Sequence, residues 1–88
     1  MTRSTETIEA RQKRLLWRAS HRGIREMDVL LGGFARARVT AMGEAELAEL
    51  ETIIAIPDHD ILSWATGQAP VPVGQATPLL TELLAFRP

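Results

Sequence analysis

The chain of 88 residues has a net charge of −1 at pH 7, is 45% hydrophobic and contains no cysteine. This length fits one domain with a thin core, since so short a chain buries only about 60% of its unfolded surface, and the lack of cysteine excludes disulfides and a thiolate nucleophile. No apolar run approaches the roughly 20 residues that span a bilayer, and residues 1–6 do not begin a secretory signal, so we expect a small soluble intracellular protein with no membrane insertion.

Periodic apolar residues predict helices throughout and no strand, which makes residues 1–88 an all-α, compact five-helix single-domain bundle. The first helix is predicted for about residues 5–22, with Ser4 or Thr5 as its N-cap and Gly23 at its end. Residues 1–5 are expected to fray. The inward face of this helix consists of Ile8, Gln12, Leu15 and Ala19.

The second helix is predicted for residues 24–38 and contains two adjacent glycines. Gly32 and Gly33 each cost roughly 1 kcal/mol relative to alanine inside a helix, so they indicate either a bend or the close approach of another backbone. A third helix is predicted for residues 43–55, with Thr40 in the preceding connection as a candidate cap. It should end there because the residue before Pro57 is disfavoured in a helical conformation.

The C-terminal third is predicted to hold two shorter helices joined by a linker. Asp58 is a suitable N-cap for the fourth helix, which Gly67 ends. Residues 68–76 are expected to form an extended linker, and Thr77 followed by Pro78 is typical of a helix start. The leucines of this last helix either pack back on the bundle or dock on a partner. Packing is favoured, because so small a chain needs the apolar area.

Charges are segregated along the chain. Residues 1–41 hold nine Arg or Lys and four Asp or Glu, a net +5, whereas residues 42–88 hold one Arg and seven Asp or Glu, a net −6. The two halves either attract each other within the fold or present a positive face to a partner.

The sequence lacks the residue patterns of a catalytic or metal site. Its two histidines, His21 and His59, do not form a helical i, i+4 pair, which argues against a metal site. Asp58 and Asp60 flank His59 after a proline and before an apolar run, as in a capping segment. No glycine-rich loop follows a strand, so the usual phosphate-binding loops are absent. We predict that the protein is not an enzyme and holds no cofactor or metal of its own.

Nucleic-acid binding is the alternative function to weigh. Basic residues recur at positions 11, 13, 14, 18, 22 and 25, and the helix-corner-helix pattern invites comparison with helix-turn-helix proteins. However, Glu26 and Asp28 near the start of the second helix would face phosphate, and the rest of that helix is largely apolar. A small helical nucleic-acid-binding or transcriptional regulatory module is therefore the second candidate.

The part of the chain with the clearest sign of a contact surface is Arg22-Gly23-Ile24-Arg25-Glu26, called the corner segment below. Gly23 suits both the end of the first helix and the N-cap of the second, and Glu26 can reach back to free backbone N–H groups as half a capping box. These roles leave Arg22 and Arg25 unexplained. The segment is therefore either a plain helix corner or an exposed binding site.

Trp17 lies about 180° from Ile8 on the first helix, opposite the apolar face and one turn before the corner segment. Aromatic and arginine side chains are enriched at binding hot spots. Trp17 therefore either belongs to a contact surface or packs under the C-terminal helix.

The corner segment and its surroundings resemble the SdhE-type flavinylation factors, a family whose eukaryotic members are known as succinate dehydrogenase assembly factor 2. The resemblance rests on an R-G-x-x-E signature and on a later acidic segment with a tryptophan, and it covers roughly residues 13–67. The two segments are His21-Arg22-Gly23-Ile24-Arg25-Glu26-Met27-Asp28 and Pro57-Asp58-His59-Asp60-Ile61-Leu62-Ser63-Trp64.

The resemblance implies a compact helical factor that binds the flavoprotein subunit of succinate dehydrogenase, or of fumarate reductase in bacteria. Such a factor promotes covalent attachment of FAD to a histidine of that subunit and has no cofactor of its own. We also expect a bacterial cytoplasmic protein that is monomeric when free.

The family's motif maps onto three residues of this chain. Arg22 is expected to be exposed and to pair with a partner carboxylate, Gly23 to allow close approach, and Glu26 to hold a cationic or amide group. The predicted partner-binding set is completed by His21, Arg25 and Trp17.

Overall fold

The computed structural model describes residues 6–88, which form five α-helices and one 3₁₀ turn, without a strand. The all-α prediction is confirmed, whereas the predicted fraying of residues 1–5 lies outside the described residues. The elements in chain order are α1 (Ile8–Ser20), α2 (Arg25–Arg38), the 3₁₀ turn (Val39–Ala41), α3 (Glu44–Ile54), α4 (Asp58–Ala65) and α5 (Pro78–Ala85). None of these helices is long and apolar enough to cross a bilayer.

Helix α1 is shorter than predicted at both ends. Thr7 is its N-cap and accepts a hydrogen bond from the backbone N–H of Ala10 at 3.0 Å. The prediction of Ser4 or Thr5 as the cap is therefore wrong, because the helix begins later. At the other end the helix stops at Ser20, so His21 and Arg22 leave the helix and belong to the connection with α2.

Helices α1 and α2 pack against each other, and the glycine pair of α2 explains how closely they do so. A Cβ added at Gly32 would lie 3.0 Å from the Cα of Ser20, on α1. At Gly33 the nearest atom would belong to the ring of Phe86, at 3.4 Å. Of the two possibilities for this pair, the close backbone approach is thus confirmed at Gly32.

The core is formed by buried apolar side chains from all five helices and the 3₁₀ turn. Helix α5 contributes three leucines to it, and Phe86 packs edge-on against Phe34 with ring centroids 5.7 Å apart. Thr77 caps α5 as predicted, accepting from the backbone N–H of Leu80 at 3.2 Å. The C-terminal helix therefore packs on the bundle. The largest fully buried side chains include Leu15, Met27, Leu31, Phe34, Leu47, Leu50, Ile61 and Leu80.

Three local predictions in the second half need correction. Thr40 lies inside the 3₁₀ turn, and the N-cap of α3 is Gly43. The N-cap of α4 is Pro57, because Asp58 is already helical and its carboxylate bonds elsewhere. The linker is not fully extended, since a turn closes where the N–H of Gln75 donates to the carbonyl of Pro72 at 2.9 Å.

Attraction between the basic and acidic halves is visible in the ion pairs. Of the six pairs within residues 6–88, five join a basic residue of the first half to a carboxylate of the second. They are Arg11–Glu51, Arg14–Glu51, Arg22–Asp58, Arg38–Glu46 and Arg38–Glu82. Three of the six residues of the predicted basic stretch, Arg11, Arg14 and Arg22, are therefore neutralised within the fold.

Candidate partner-binding site at the α1–α2 corner

The backbone turns between α1 and α2 at Gly23, whose φ is +90°. Residues with a side chain rarely adopt this conformation, so a glycine is required here. A Cβ added at Gly23 would have no neighbour within 4 Å, and the residue is exposed. The glycine of the corner segment therefore faces open space, as predicted, although the N-cap of α2 is Ile24 and not Gly23.

Arg22 does not have the exposure that we predicted. Its Nε donates to Oδ1 of Asp58 at 2.7 Å, and its two Nη atoms donate to the carbonyls of Ile54 and Ile56 at 2.5 and 2.9 Å. Only 11% of the side chain is exposed. The carboxylate that pairs with Arg22 thus belongs to this chain, because the end of α3 and the start of α4 lie directly beneath the corner segment.

Glu26 does not form the predicted half of a capping box. It is the second residue of α2 and is exposed, and its side chain makes no hydrogen bond or ion pair with residues 6–88. Asp28, the fourth residue of α2, reaches back instead, but to a residue before the N-cap: its Oδ1 accepts from the backbone N–H of Arg22 at 2.6 Å. The carboxylate of Glu26 is therefore left accessible for an external donor. Arg25, the first residue of the helix, is likewise exposed and forms no ion pair in the described part of the chain.

Trp17 is 62% exposed, so it does not pack under the C-terminal helix. Its indole stacks on the ring of His21, with centroids 4.2 Å apart and an interplanar angle of 13°. His21 Nδ1 lies 2.7 Å from the carbonyl oxygen of Trp17. Because a carbonyl can only accept, Nδ1 is the donor, and this bond holds the imidazole in place against the indole.

These side chains surround a shallow depression of about 420 Å³ beside the corner segment. Gly23, Arg25 and Glu26 do not line it. Asp58 and Ile54, which sequence analysis did not place at this site, do so because α3 and α4 meet there. The lining residues are Trp17, Arg18, His21, Arg22, Ile54 and Asp58.

The described residues contain no group of three or more His, Asp or Glu side chains arranged to hold a metal ion. The exposed groups at the site are two aromatic rings, arginines, one carboxylate and an open glycine backbone. These groups are suited to hydrogen bonding, ion pairing and stacking against another macromolecule.

Comparison with known proteins identifies the family of this chain. A family model described as "Flavinator of succinate dehydrogenase" matches residues 13–87, and the chain belongs to that family. The FAD assembly factor SdhE of Acetobacter pasteurianus is 39% identical over 79 residues, which cover 90% of this chain and 72% of that protein.

Mitochondrial relatives match over a shorter part of their length. Succinate dehydrogenase assembly factor 2 of Scheffersomyces stipitis is 42% identical over 64 residues, 73% of this chain and 43% of that protein. The same-named protein of Dictyostelium discoideum is 37% identical over 65 residues, 74% of this chain and 46% of that protein. All three relatives are named as assembly factors and not as enzymes, in agreement with the predicted class.

Proposed function

We propose that this protein binds the flavoprotein subunit of succinate dehydrogenase in the bacterial cytoplasm and promotes covalent attachment of FAD to that subunit. Membership of the flavinator family supports the proposal. The structural observation that carries it is that the corner segment has two open groups. Gly23 has free space where a side chain would be, and the carboxylate of Glu26 has no partner within residues 6–88. Both groups are available to another protein.

The protein acts in this proposal by positioning and not by chemistry of its own. Holding reacting groups in a productive arrangement can supply about 7–11 kcal/mol of a reaction barrier. Gly23 lets a backbone segment of the flavoprotein approach closely, and Glu26 accepts hydrogen bonds from cationic or amide groups on it. Arg22 holds the backbone of the corner segment in place through its bonds to the α3–α4 junction. The FAD stays with the flavoprotein.

Nucleic-acid binding is the weaker candidate, because half of the basic stretch on which it rests is neutralised within the fold. Arg11, Arg14 and Arg22 are all ion-paired with carboxylates of this chain. Phosphate contacts would have to compete with those pairs.

The test is reconstitution with purified, FAD-free flavoprotein subunit, free FAD and this protein. Covalent flavin is measured as fluorescence that survives denaturing electrophoresis. Gly23→Arg should slow covalent attachment strongly. Gly67→Arg is the matched control, because Gly67 also has a positive φ, of +78°, and no neighbour within 4 Å of an added Cβ. The two variants thus carry a similar backbone strain and the same new side chain.

Wild-type protein that leaves covalent attachment unchanged would overturn the proposal. If Gly23→Arg and Gly67→Arg were equally active, the corner segment would not be the contact surface. The same assay with the flavoprotein of fumarate reductase decides whether that subunit is also served.

A further inference from the structure

The basic residues of α1, of α2 and of the connection between them divide into two groups. One group is neutralised inside the fold and consists of Arg11, Arg14, Arg22 and Arg38. The other group is exposed and forms no ion pair within residues 6–88. It consists of Lys13, Arg18, Arg25 and Arg36. The acidic half therefore compensates only part of the positive charge.

Three of these four cations, all but Arg25, lie around the stacked rings of Trp17 and His21. Lys13 and Arg36 line a depression of about 300 Å³ together with both rings. Arg18 lines the neighbouring depression of about 420 Å³ with the same two rings. This basic aromatic face is defined by Lys13, Trp17, Arg18, His21 and Arg36.

Among the described residues, no free carboxylate lines either depression of this face. The depression next to Lys13 and Arg36 has no acidic lining residue. In the other depression the acidic residue is Asp58, which is already bonded to Arg22. The face thus presents positive charge that carboxylates of another molecule can neutralise.

Trp17 supplies this face with a large and restrained apolar group. The indole is 62% exposed, yet it is stacked on His21, whose ring is fixed by its bond to the carbonyl of Trp17. A side chain held in one place loses little conformational entropy on binding, and tryptophan is enriched among the residues that dominate interface energies.

We propose that the basic aromatic face docks a carboxylate-rich surface of the flavoprotein subunit, with Trp17 as the central anchor and the three cations around it. The inference rests on the proposed function and adds to it a second contact region, next to the corner segment. Charge complementarity favours this occupant over another copy of this chain, whose equivalent face is also positive. The cations steer encounter and raise the association rate, whereas the indole slows dissociation.

The experiment measures association and dissociation rates with immobilised FAD-free flavoprotein at several salt concentrations. The first variant is Lys13→Gln/Arg18→Gln/Arg36→Gln. Its control is Ala45→Glu/Ala48→Glu/Thr81→Glu, which changes the net charge by the same amount at exposed positions of α3 and α5. The glutamine variant should associate about tenfold more slowly, with a weaker salt dependence, and the control should stay near wild type.

Trp17→Ala tests the anchor separately. It should raise the dissociation rate about tenfold while leaving the salt dependence of association unchanged. Since the indole is mostly exposed, thermal melts of this variant should match wild type.

The outcomes separate this inference from the function on which it rests. If wild type binds and flavinylates the subunit, but the glutamine variant and Trp17→Ala have wild-type rates, the inference is wrong and the proposed function stands. If wild type does not bind the subunit, both are wrong. If wild type instead binds a single-stranded oligonucleotide and the glutamine variant loses that binding, nucleic acid occupies the face and the inference is overturned.

Discussion

Arg22 and Asp58 connect the α1–α2 corner to the start of α4, through a hydrogen bond of 2.7 Å between Nε and Oδ1. The other guanidinium nitrogens donate to the carbonyl of Ile54, the last residue of α3, and to that of Ile56, in the connection to α4. Carbonyls at a helix C-terminus lack intrahelical partners, and a cation is favoured there. Arg22 therefore satisfies a carbonyl at the C-terminus of α3 and also forms an ion pair with Asp58, the first residue of α4.

The first prediction concerns this connection. Arg22→Ala should lower the free energy of unfolding by about 2–4 kcal/mol, because it removes hydrogen bonds from a charged donor and leaves Asp58 without its cation. Asp58→Ala should cost less, about 1–2 kcal/mol, since the carbonyl contacts remain. Arg25→Ala is the control and should stay within about 0.5 kcal/mol of wild type, because Arg25 is exposed and unpaired in the described residues. Urea unfolding measures all three.

The second prediction separates a positioning role of Arg22 from direct contact with a partner. If Arg22 acts by shaping the corner segment, Asp58→Ala should also slow covalent flavinylation, although less than Arg22→Ala does. The comparison is made at a temperature where both variants are folded. Full activity of Asp58→Ala beside an inactive but folded Arg22→Ala would mean that the guanidinium itself touches the flavoprotein.

The third prediction concerns Glu26. Because its carboxylate makes no bond within residues 6–88, Glu26→Ala should change the free energy of unfolding by no more than about 0.5 kcal/mol, yet slow flavinylation strongly. Glu9→Ala is a matched control, since Glu9 is also exposed and is the second residue of α1. The helix-dipole contribution is then the same for both. If the two variants flavinylate equally well, Glu26 is not a contact residue.

Helices were predictable because their signals are local. A 3.6-residue period marks each apolar face, and Thr77-Pro78 fixes the start of α5 within one turn. Boundaries were missed where several capping residues compete: Thr7 caps α1 although Ser4 and Thr5 also could. Only one of these residues can be the N-cap, and which one it is depends on where the helix packs.

The candidate site was only partly predictable, because some of its contacts depend on tertiary packing. The corner at Gly23 was predictable because a tight turn with a positive φ favours glycine. The exposure of Trp17 agrees with its position on α1, opposite the apolar face. The partner of Arg22 lies 36 residues away in the chain. A single sequence contains no signal for such a tertiary pair, so a partly buried arginine that is bonded within the chain was predicted to be exposed.

The fourth prediction is a loss of stability in acid. The hydrogen bond from Arg11 lowers the pKa of Glu51, and that from Arg38 lowers the pKa of Glu82, below their ordinary value of 4.5. Carboxylates with a lowered pKa in the folded state stabilise the protein above pH 4.5 and lose this contribution as the pH falls through the lowered pKa.

The free energy of unfolding should therefore decrease steadily below pH 4.5, and less steeply in Glu82→Gln. Both carboxylates are partly exposed, so the effect is modest and shrinks with added salt. An identical slope in Glu82→Gln and wild type would show that the Arg38–Glu82 pair contributes nothing in solution.

The fifth prediction compares the two adjacent glycines of α2. Alanine is favoured over glycine in a helix by about 1 kcal/mol. At Gly33 the new Cβ would make an ordinary contact with the ring of Phe86, at 3.4 Å, so Gly33→Ala should stabilise the protein by up to about 1 kcal/mol. At Gly32 it would lie 3.0 Å from the Cα of Ser20, and α1 would have to move away as a unit.

Overpacking of this kind costs about 1–3 kcal/mol, which outweighs the gain in helix propensity, so Gly32→Ala should be destabilising. Thermal or urea unfolding of both single variants measures the difference directly, since they share the same helix and the same substitution. A Gly32→Ala protein as stable as Gly33→Ala would mean that α1 and α2 can separate at no cost. In that case the close approach at Ser20 would not hold the two helices, and hence the corner between them, in place.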